Sequence, residues 1–230
     1  MAPRKAVILM AGLGSRLARP HPKSLTPLGN GETILSRALR ILRSFDLTVC
    51  GVVGFKADLV MEAAPEILFA YNPNYDTTNT SKSLLAGLRN IQGEDVLWLN
   101  GDVVFEPNII ARMLAAPTSA VAVNSARVGD EEVKYNLTPS GYIRSISKRV
   151  PDALGEALGI NLVRAAELDA FKACLDRVGE NDYFERAMEL LIEERGEVFR
   201  PVDIGDGVCV EVDFQEDLQR AQGMLAQRTE

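Results

Sequence analysis

The chain has 230 residues, of which 47% are hydrophobic and 25% are charged, and this composition predicts one globular α/β domain. Its formal net charge is −7 and it carries no long basic patch, which argues against nucleic acid as the main partner. No apolar run approaches the roughly 18 residues that a membrane span needs, so we expect no membrane association.

The first half of the chain alternates between strand-like and helix-like segments. Short apolar runs predict buried strands at residues 6–10, 47–55, 67–71, 96–100 and 120–124. Apolar residues at helical spacing predict helices at residues 33–45, 58–64, 81–91 and 107–115. This alternation is typical of a parallel sheet with right-handed crossovers.

The second half begins differently, with two alternating segments on either side of a Thr-Pro-Ser-Gly turn, which predict a hairpin. Further patterns predict strands at 157–164 and 208–212 and helices at 165–176, 183–194 and 215–227. The expected fold class is therefore α/β, with a mixed, mostly parallel central sheet flanked by helices. We expect the whole chain, 1–230, to form a single domain.

The first apolar run leads into a loop rich in glycine and basic residues, "VILMAGLGSRLARPHPKSL". A dinucleotide fingerprint would need a third glycine where Leu17 stands. A P-loop would need a glycine before its Lys-Ser pair, but that position is Pro22. Backbone amides freed by two glycines, together with Arg16 and Lys23, still favour an anion, and a plain Gly-rich turn is the alternative.

This loop, "ILMAGLGSRL…HPKSLTPLGNGETIL", resembles the phosphate loop of the nucleotidyltransferase superfamily with a glycosyltransferase-A-like (GT-A), Rossmann-like fold. Downstream, "NPNYDTTNTSKSLLAGL" resembles the branch that contains phosphocholine, inositol-phosphate and phosphonate cytidylyltransferases. "NGDVVF", "GEALGINLV", "DYFERAMELLIEE" and "VDIGDGVCVEVDFQEDLQRAQ" resemble the later blocks in the same order. The resemblance covers nearly the whole chain.

The resemblance implies a Mg²⁺-dependent enzyme that moves a nucleoside monophosphate, CMP from CTP in this branch, onto a small phosphorylated or phosphonate alcohol. Residues 1–125 would bind the nucleotide, and residues 126–230 would bind the acceptor and complete the sheet. A sugar-1-phosphate nucleotidyltransferase using UTP, GTP or dTTP is an alternative function. A non-catalytic nucleotide-binding regulator is a second alternative, although such a binder would not need metal-binding carboxylates.

Nucleotidyl transfer needs positive charge and no general base, because the attacking phosphate oxygen is already ionised. We assign Arg16 to the leaving pyrophosphate and Lys23 to the α-phosphate and the acceptor phosphate. The resemblance implies Asp102 and Asp213 as Mg²⁺ ligands, with Glu211 as a weaker candidate. A turn residue is the alternative for Asp102, and a solvated strand carboxylate is the alternative for Glu211.

The nucleoside is expected between the glycine loop and the "TTNTS" segment, where the polar groups suit a pyrimidine edge. The nucleotide-binding candidates are Leu9, Ala11, Gly12, Gly14, Ser15, Asn79, Thr80 and Ser81. Thr80 or Ser81 could instead cap the following helix. The acceptor-binding candidates are Lys148, Glu156, Tyr183 and Glu185, which could hold an ammonium group or the hydroxyls of a polyol. Alternatives are a solvated lysine for Lys148 and an ordinary first helical turn for Tyr183 and Glu185.

The remaining chemistry-bearing residues are few. Cys50, Cys174 and Cys209 are odd in number and far apart, which fits neither a disulfide framework nor a zinc site. The start of the chain leaves no room for a signal peptide, so we expect a cytoplasmic protein. A homodimer is compatible with the sequence.

Overall fold

The computed structural model of the protein describes residues 4–14, 21–125 and 132–227. Within these residues a nine-stranded sheet carries the fold, and a separate two-stranded sheet lies beside it. The strands are β1 (Lys5–Met10), β2 (Thr48–Val53), β3 (Leu68–Tyr71), β4 (Val96–Asn100), β5 (Val103–Phe105), β6 (Ser119–Asn124), β7 (Lys134–Leu137), β8 (Ile143–Ser147), β9 (Gly155–Val163), β10 (Phe199–Asp203) and β11 (Cys209–Glu211).

Helices connect these strands and cover the sheet. They are α1 (Ile34–Ser44), α2 (Ala57–Ala63), α3 (Thr80–Leu88), α4 (Pro107–Ala115), α5 (Ala165–Arg177), α6 (Phe184–Arg195) and α7 (Gln215–Gln227). A short 3-10 turn, Lys23–Leu25, follows the glycine loop. None of the helices in the described ranges has the length and apolar character needed to cross a membrane.

The main path of the large sheet runs in the order β10-β6-β9-β4-β1-β2-β3. The β1, β2, β3 and β4 strands are parallel neighbours, while β9 lies antiparallel between β4 and β6. This is the mixed, mostly parallel sheet that the alternating pattern predicted. The carboxyl ends of β1 and β4 lie side by side, and open α/β sheets place their ligands at that edge.

Two apolar layers bury the two faces of the sheet. One layer packs α1 and α4 against it, and the other packs α3, α5 and α6. Trp98 of β4 is fully buried in the second layer, where its ring stacks on Phe171 and meets the edge of Phe184. Trp98 is therefore a core residue.

Two strands escaped the sequence patterns. The β5 strand has only three residues, so its apolar run merges with the strand before it. The β10 strand contains Pro201, which argues against a central strand, but β10 lies at the edge of the sheet, where proline is tolerated. All the helices and strands that the sequence predicts are present, with ends displaced by a few residues at most.

Candidate active site

A cavity of about 440 Å³ opens at the carboxyl edge of β1 and β4. The ends of these two strands line it from one side, and the start of β9 together with the first turn of α6 lines it from another. Residues from both halves of the chain therefore face one space. Such an edge cavity is the default ligand site of an open α/β sheet.

The glycine loop forms one wall of this cavity through Gly12 and Gly14. Gly14 has a φ of +62°, and a Cβ atom there would come within 2.9 Å of Cγ of Lys23. Glycine at this position therefore allows both the left-handed turn and the path of the lysine stem. Leu9 and Ala11 also line the cavity, whereas the predicted Ser15 and Arg16 lie outside the described residues.

Lys23 lies at the centre of the site, in the 3-10 turn that follows Pro22. Its Nζ atom donates to Oδ2 of Asp102 at 3.0 Å and also to Oδ1 of Asp213. Burial disfavours the charged ammonium, but the two carboxylates outweigh that cost and raise the pKa of Lys23 above its ordinary value. Lys23 therefore stays protonated in this cavity.

Asp102 and Asp213 are far apart in sequence but are brought together by the two-stranded sheet. Asp102 follows β4, and its carbonyl accepts the N–H of Val212 at 2.9 Å, next to Asp213. The antiparallel pairing of β5 with β11 sets Glu211 opposite Val103. Since β11 ends at Glu211, Asp213 lies beyond the strand, yet all three carboxylates line the same cavity.

Burial dominates the electrostatics of these carboxylates. It raises the pKa of Asp102, against the opposing pull of Lys23. The pKa of Glu211 rises to about 8, first because of burial and then because of the nearby Asp102 and Asp213. Glu211 also accepts a hydrogen bond from Nδ2 of Asn100 at 3.3 Å. Asp102 and Asp213 are partly buried and Glu211 is exposed to the cavity, so this part of the cavity places three carboxylates around one lysine.

The donor set fits a hard divalent cation, because carboxylate oxygens are the ligands that Mg²⁺ prefers. In the ranges that the structure covers, however, no group of three or more acidic, histidine or cysteine side chains is arranged as a metal site. Lys23 instead bridges Asp102 and Asp213. The chemistry of the donors therefore suits the metal, while the present arrangement is a lysine–carboxylate cluster.

The start of α3 supplies another wall. Asn79 is the residue that caps this helix, since its side chain accepts the N–H of Thr80 at 2.8 Å. Asn79 and Thr80 both line the cavity. Ser81 is fully buried, and its Oγ atom donates to the carbonyl of Asp182 at 2.6 Å. The hydroxyl of Ser81 therefore contacts the loop before α6 instead of facing the cavity.

All four acceptor candidates line the far side of the same cavity. The Nζ atom of Lys148 lies 5.8 Å from the centroid of the Tyr183 ring. Glu156 is half-buried and accepts a long hydrogen bond of 3.5 Å from Nδ2 of Asn124, and burial raises its pKa. Glu185, in the first turn of α6, is only 8% exposed. Burial raises its pKa to about 7.

Sequence reasoning missed several residues that the cavity contains, among them Tyr75, Asn100 and Arg220. Asn100 directly precedes the Gly-Asp pair at the end of β4, and that position could have indicated it. Tyr75 sits in the quoted "NPNYDTTNT" segment, and a Cβ atom on Gly54 would come within 2.5 Å of its Cβ atom. Arg220 reaches the cavity from α7, and no local pattern indicates which way that helix turns.

Comparison with known proteins shows the family to which the chain belongs. Residues 6–191 match the sequence profile of the MobA-like NTP transferase domain. A CMP-5'-(3-aminopropyl)phosphonate synthase of Streptomyces rubellomurinus is 34% identical over 95% of this chain. The match spans 38% of that relative, so the chain covers well under half of its length.

Two solved structures share the fold at low sequence identity. The inositol-1-phosphate CTP transferase of T. maritima has a TM-score of 0.80 and 15% identity, covering 97% of this chain and 96% of that one. The CTP:phosphocholine cytidylyltransferase of Streptococcus pneumoniae has a TM-score of 0.75 and 17% identity, covering 97% and 99%. The profile match extends over most of the chain, and the protein belongs to the MobA-like NTP transferase family.

Proposed function

We propose that the protein transfers CMP from CTP to a small phosphorylated or phosphonate acceptor and releases pyrophosphate. The observation that carries this proposal is the partly buried cluster of Lys23, Asp102 and Asp213 at the sheet edge. The name of the Streptomyces relative, a CMP-phosphonate synthase at 34% identity, supports cytidine and a phosphonate-type acceptor.

Asp102 and Asp213 are the residues that would hold Mg²⁺, with Glu211 as the third candidate. When bound, the metal supplies positive charge to the triphosphate and to its leaving pyrophosphate. Lys23 contributes the second cation, and its ammonium lies in the same cavity within reach of a phosphate bound between the glycine loop and Asp102. Arg16 remains our proposal for the pyrophosphate side.

The reaction itself requires positioning more than proton transfer. An ionised acceptor oxygen attacks the α-phosphorus of CTP in line, the new P–O bond forms, and the bond to pyrophosphate breaks. Lys23 would stabilise the charge on the α-phosphate as this exchange proceeds. The single histidine of the chain, His21, lies before the 3-10 turn and is not needed for any step.

The nucleotide would bind against Leu9, Ala11, Gly12 and Gly14, with Ser15 as a further candidate. Asn79 and Thr80 would offer polar groups to the base, since both line the cavity. Ser81 would not contact the nucleotide and would contribute indirectly, by fixing the segment that precedes α6. The acceptor would occupy the side formed by Lys148, Glu156, Tyr183 and Glu185.

A crossed assay tests this proposal. Each of CTP, UTP, GTP, ATP and dTTP is incubated with Mg²⁺ and with phosphocholine, 2-aminoethylphosphonate, an inositol phosphate or a sugar 1-phosphate, and pyrophosphate release is measured. We expect release with CTP and one of the first three acceptors. Release only with a sugar 1-phosphate and another nucleotide, or no release with any pair, would contradict the proposal.

A further inference from the structure

One carboxylate in the cavity lacks the partner that its environment demands. The side chain of Glu185 lines the cavity and is only 8% exposed. Its Oε2 atom is buried and accepts no hydrogen bond from any residue that the structure describes. A buried acceptor without a donor is costly, and a buried carboxylate without one is costlier still. Because Glu185 lines the cavity, a ligand that binds there can bring a donor to its carboxylate.

The backbone that carries Glu185 is held firmly in place. The N–H of Phe184, the residue before it, donates to Oγ1 of Thr80 at 3.1 Å. The carbonyl of Asp182 accepts the hydroxyl of Ser81 at 2.6 Å. The N–H of Asn79 donates to the carbonyl of Glu180 at 2.9 Å. The start of α3 therefore fixes the first turn of α6, and Glu185 cannot escape burial through a movement of a free loop.

The charged groups near Glu185 do not supply the hydrogen-bond donor that its Oε2 atom lacks. Lys148 is close enough to favour the ionised carboxylate, while Glu189, one turn later on α6, disfavours it. Glu185 in turn adds to the negative environment of Glu211. The backbone N–H of Glu185 itself also favours the ionised carboxylate, but burial outweighs these influences and Oε2 still accepts no hydrogen bond from a described residue.

Glu156, the other acidic acceptor candidate, differs from Glu185 in both respects. It is half-buried, and its Oε1 atom accepts a hydrogen bond from Asn124. Its environment therefore does not demand a ligand in the same way. Of the two carboxylates on this side of the cavity, Glu185 is the one left incomplete.

We propose that Glu185 is the residue that selects the acceptor, by accepting a hydrogen bond from a primary ammonium group on it. This inference deepens the proposed function and rests on it, because it assumes that the acceptor binds on this side of the cavity. The proposed class of acceptor is thereby narrowed from any small phosphorylated or phosphonate alcohol to a compound with a free amine at the end opposite its phosphorus group.

The acceptor could present a primary ammonium, a quaternary ammonium or a hydroxyl to Glu185, and the chemistry of these three groups differs. A primary ammonium brings both an N–H donor and a positive charge to the buried carboxylate. A quaternary ammonium brings charge but no donor, so Oε2 would stay unpaired. A hydroxyl brings a donor but no charge, so the ionised carboxylate would stay uncompensated. Only the primary amine satisfies both needs of Glu185.

The test compares 2-aminoethylphosphonate with 2-hydroxyethylphosphonate, which differ only in the terminal group, and with phosphocholine. The kcat/KM of each is measured with CTP for the native enzyme, for Glu185→Gln and for the matched control Glu193→Gln, whose glutamate lies on the same helix α6 but is 57% exposed and outside the cavity lining. We expect the native enzyme to prefer the amine over the hydroxyl by about 100-fold. In Glu185→Gln that ratio should fall to about 10-fold or less, with kcat/KM for the hydroxyl analogue changed by less than about threefold.

The control variant should keep the native ratio within about threefold, since the proposal places the selection on one carboxylate. An unchanged ratio in Glu185→Gln would overturn the inference, as would a native enzyme that uses the hydroxyl or the quaternary analogue equally well. Circular dichroism melting of both variants shows whether they fold. If Glu185→Gln does not fold, Glu185→Asp replaces it and should lower the same ratio.

Direct binding separates this inference from the proposed function. Isothermal titration of the two phosphonates into the protein with CMP present does not depend on turnover. If no nucleotide and acceptor pair releases pyrophosphate, the proposed function fails, while tighter binding of the amine that is lost in Glu185→Gln still supports the inference. If CTP is used with a hydroxyl acceptor and the amine binds no tighter, the inference fails and the transferase function stands.

Discussion

Charged side chains at the two ends of the cavity differ in whether they have partners within the chain. At the proposed catalytic end, Lys23 bridges Asp102 and Asp213, so these two carboxylates already have a partner within the chain. At the acceptor end, Glu185 is buried with an oxygen that has no partner among the described residues. Paired charges give a preorganised site for chemistry. An unpaired buried group gives selectivity, because only a ligand with the right donor completes it.

The largest effect should come from the catalytic end. Asp102→Asn removes a buried charge that holds Lys23 and is proposed to hold Mg²⁺, so kcat should fall by about 1,000-fold. Steady-state pyrophosphate release measures this loss. The matched control is Asp169→Asn, whose aspartate is 83% exposed and pairs with Lys172 on its own helix. A loss of similar size in the control would contradict the assignment of Asp102.

Lys23→Ala should lower kcat by about 100-fold and change the KM for CTP much less, because its ammonium is assigned to charge that develops in the transition state. Steady-state kinetics at saturating substrates measure both parameters. Lys5→Ala, in which the lysine pairs with Glu94 away from the cavity, should leave both unchanged. Unaltered turnover in Lys23→Ala would remove this residue from the chemistry.

At the acceptor end, Glu185 should make the free energy of unfolding depend on pH. The pKa of Glu185 is about 7, above its ordinary value, so the folded chain binds this proton more tightly than the unfolded chain. As pH rises from about 5 to about 7, the native protein should therefore lose unfolding free energy relative to Glu185→Gln, by about 2 kcal/mol. Lys148 and Glu189 face this group in both proteins, so their contributions cancel.

Chemical denaturation of both proteins at several pH values, without ligand, measures this difference. Parallel curves between pH 5 and pH 7 would show that the carboxyl of Glu185 titrates normally. The reverse sign, with native stability rising relative to the variant, would mean that Glu185 is paired inside the chain. Either result would contradict the difference proposed here between the paired carboxylates near Lys23 and the unpaired carboxylate of Glu185.

The smallest effect concerns the support of Lys23. Gly14→Ala forces a side chain into a left-handed turn and against Cγ of Lys23, so we expect a loss of about 1 kcal/mol of stability and a several-fold loss of kcat. Gly223→Ala, in α7, has no atom near its added Cβ and should instead stabilise the protein slightly. Thermal melting and kinetics measure both. A Gly14 variant that behaves like the Gly223 variant would contradict this view of the loop.

The sequence predicts the fold here more completely than it predicts the site. Buried parallel strands such as β1 and β4 are continuous apolar runs, and α1 has a clear apolar stripe, so local patterns suffice for them. The edge strand β10 was missed because its pairing with β6 overrides the local signal of Pro201. Tertiary pairing of this kind leaves no trace in a short window.

The site divides along the same line. Lys23 was predicted from its place in the phosphate loop, and the family resemblance implied Asp102 and Asp213; the structure brings these three side chains together. Ser81 was predicted to face the nucleotide, but its hydroxyl bonds the carbonyl of Asp182, about a hundred residues further along the chain. The burial of Glu185 was equally invisible, because it arises from the packing of α6 against the rest of the cavity. Long-range packing decides which polar groups reach a ligand.

The most direct test of the central claim is ³¹P NMR of the native enzyme with CTP, Mg²⁺ and 2-aminoethylphosphonate. We expect equal amounts of pyrophosphate and of a mixed phosphate–phosphonate anhydride that joins CMP to the phosphonate, with neither formed by Asp102→Asn. Hydrolysis of CTP without this anhydride, or an anhydride formed equally well by Asp102→Asn, would contradict the proposed function.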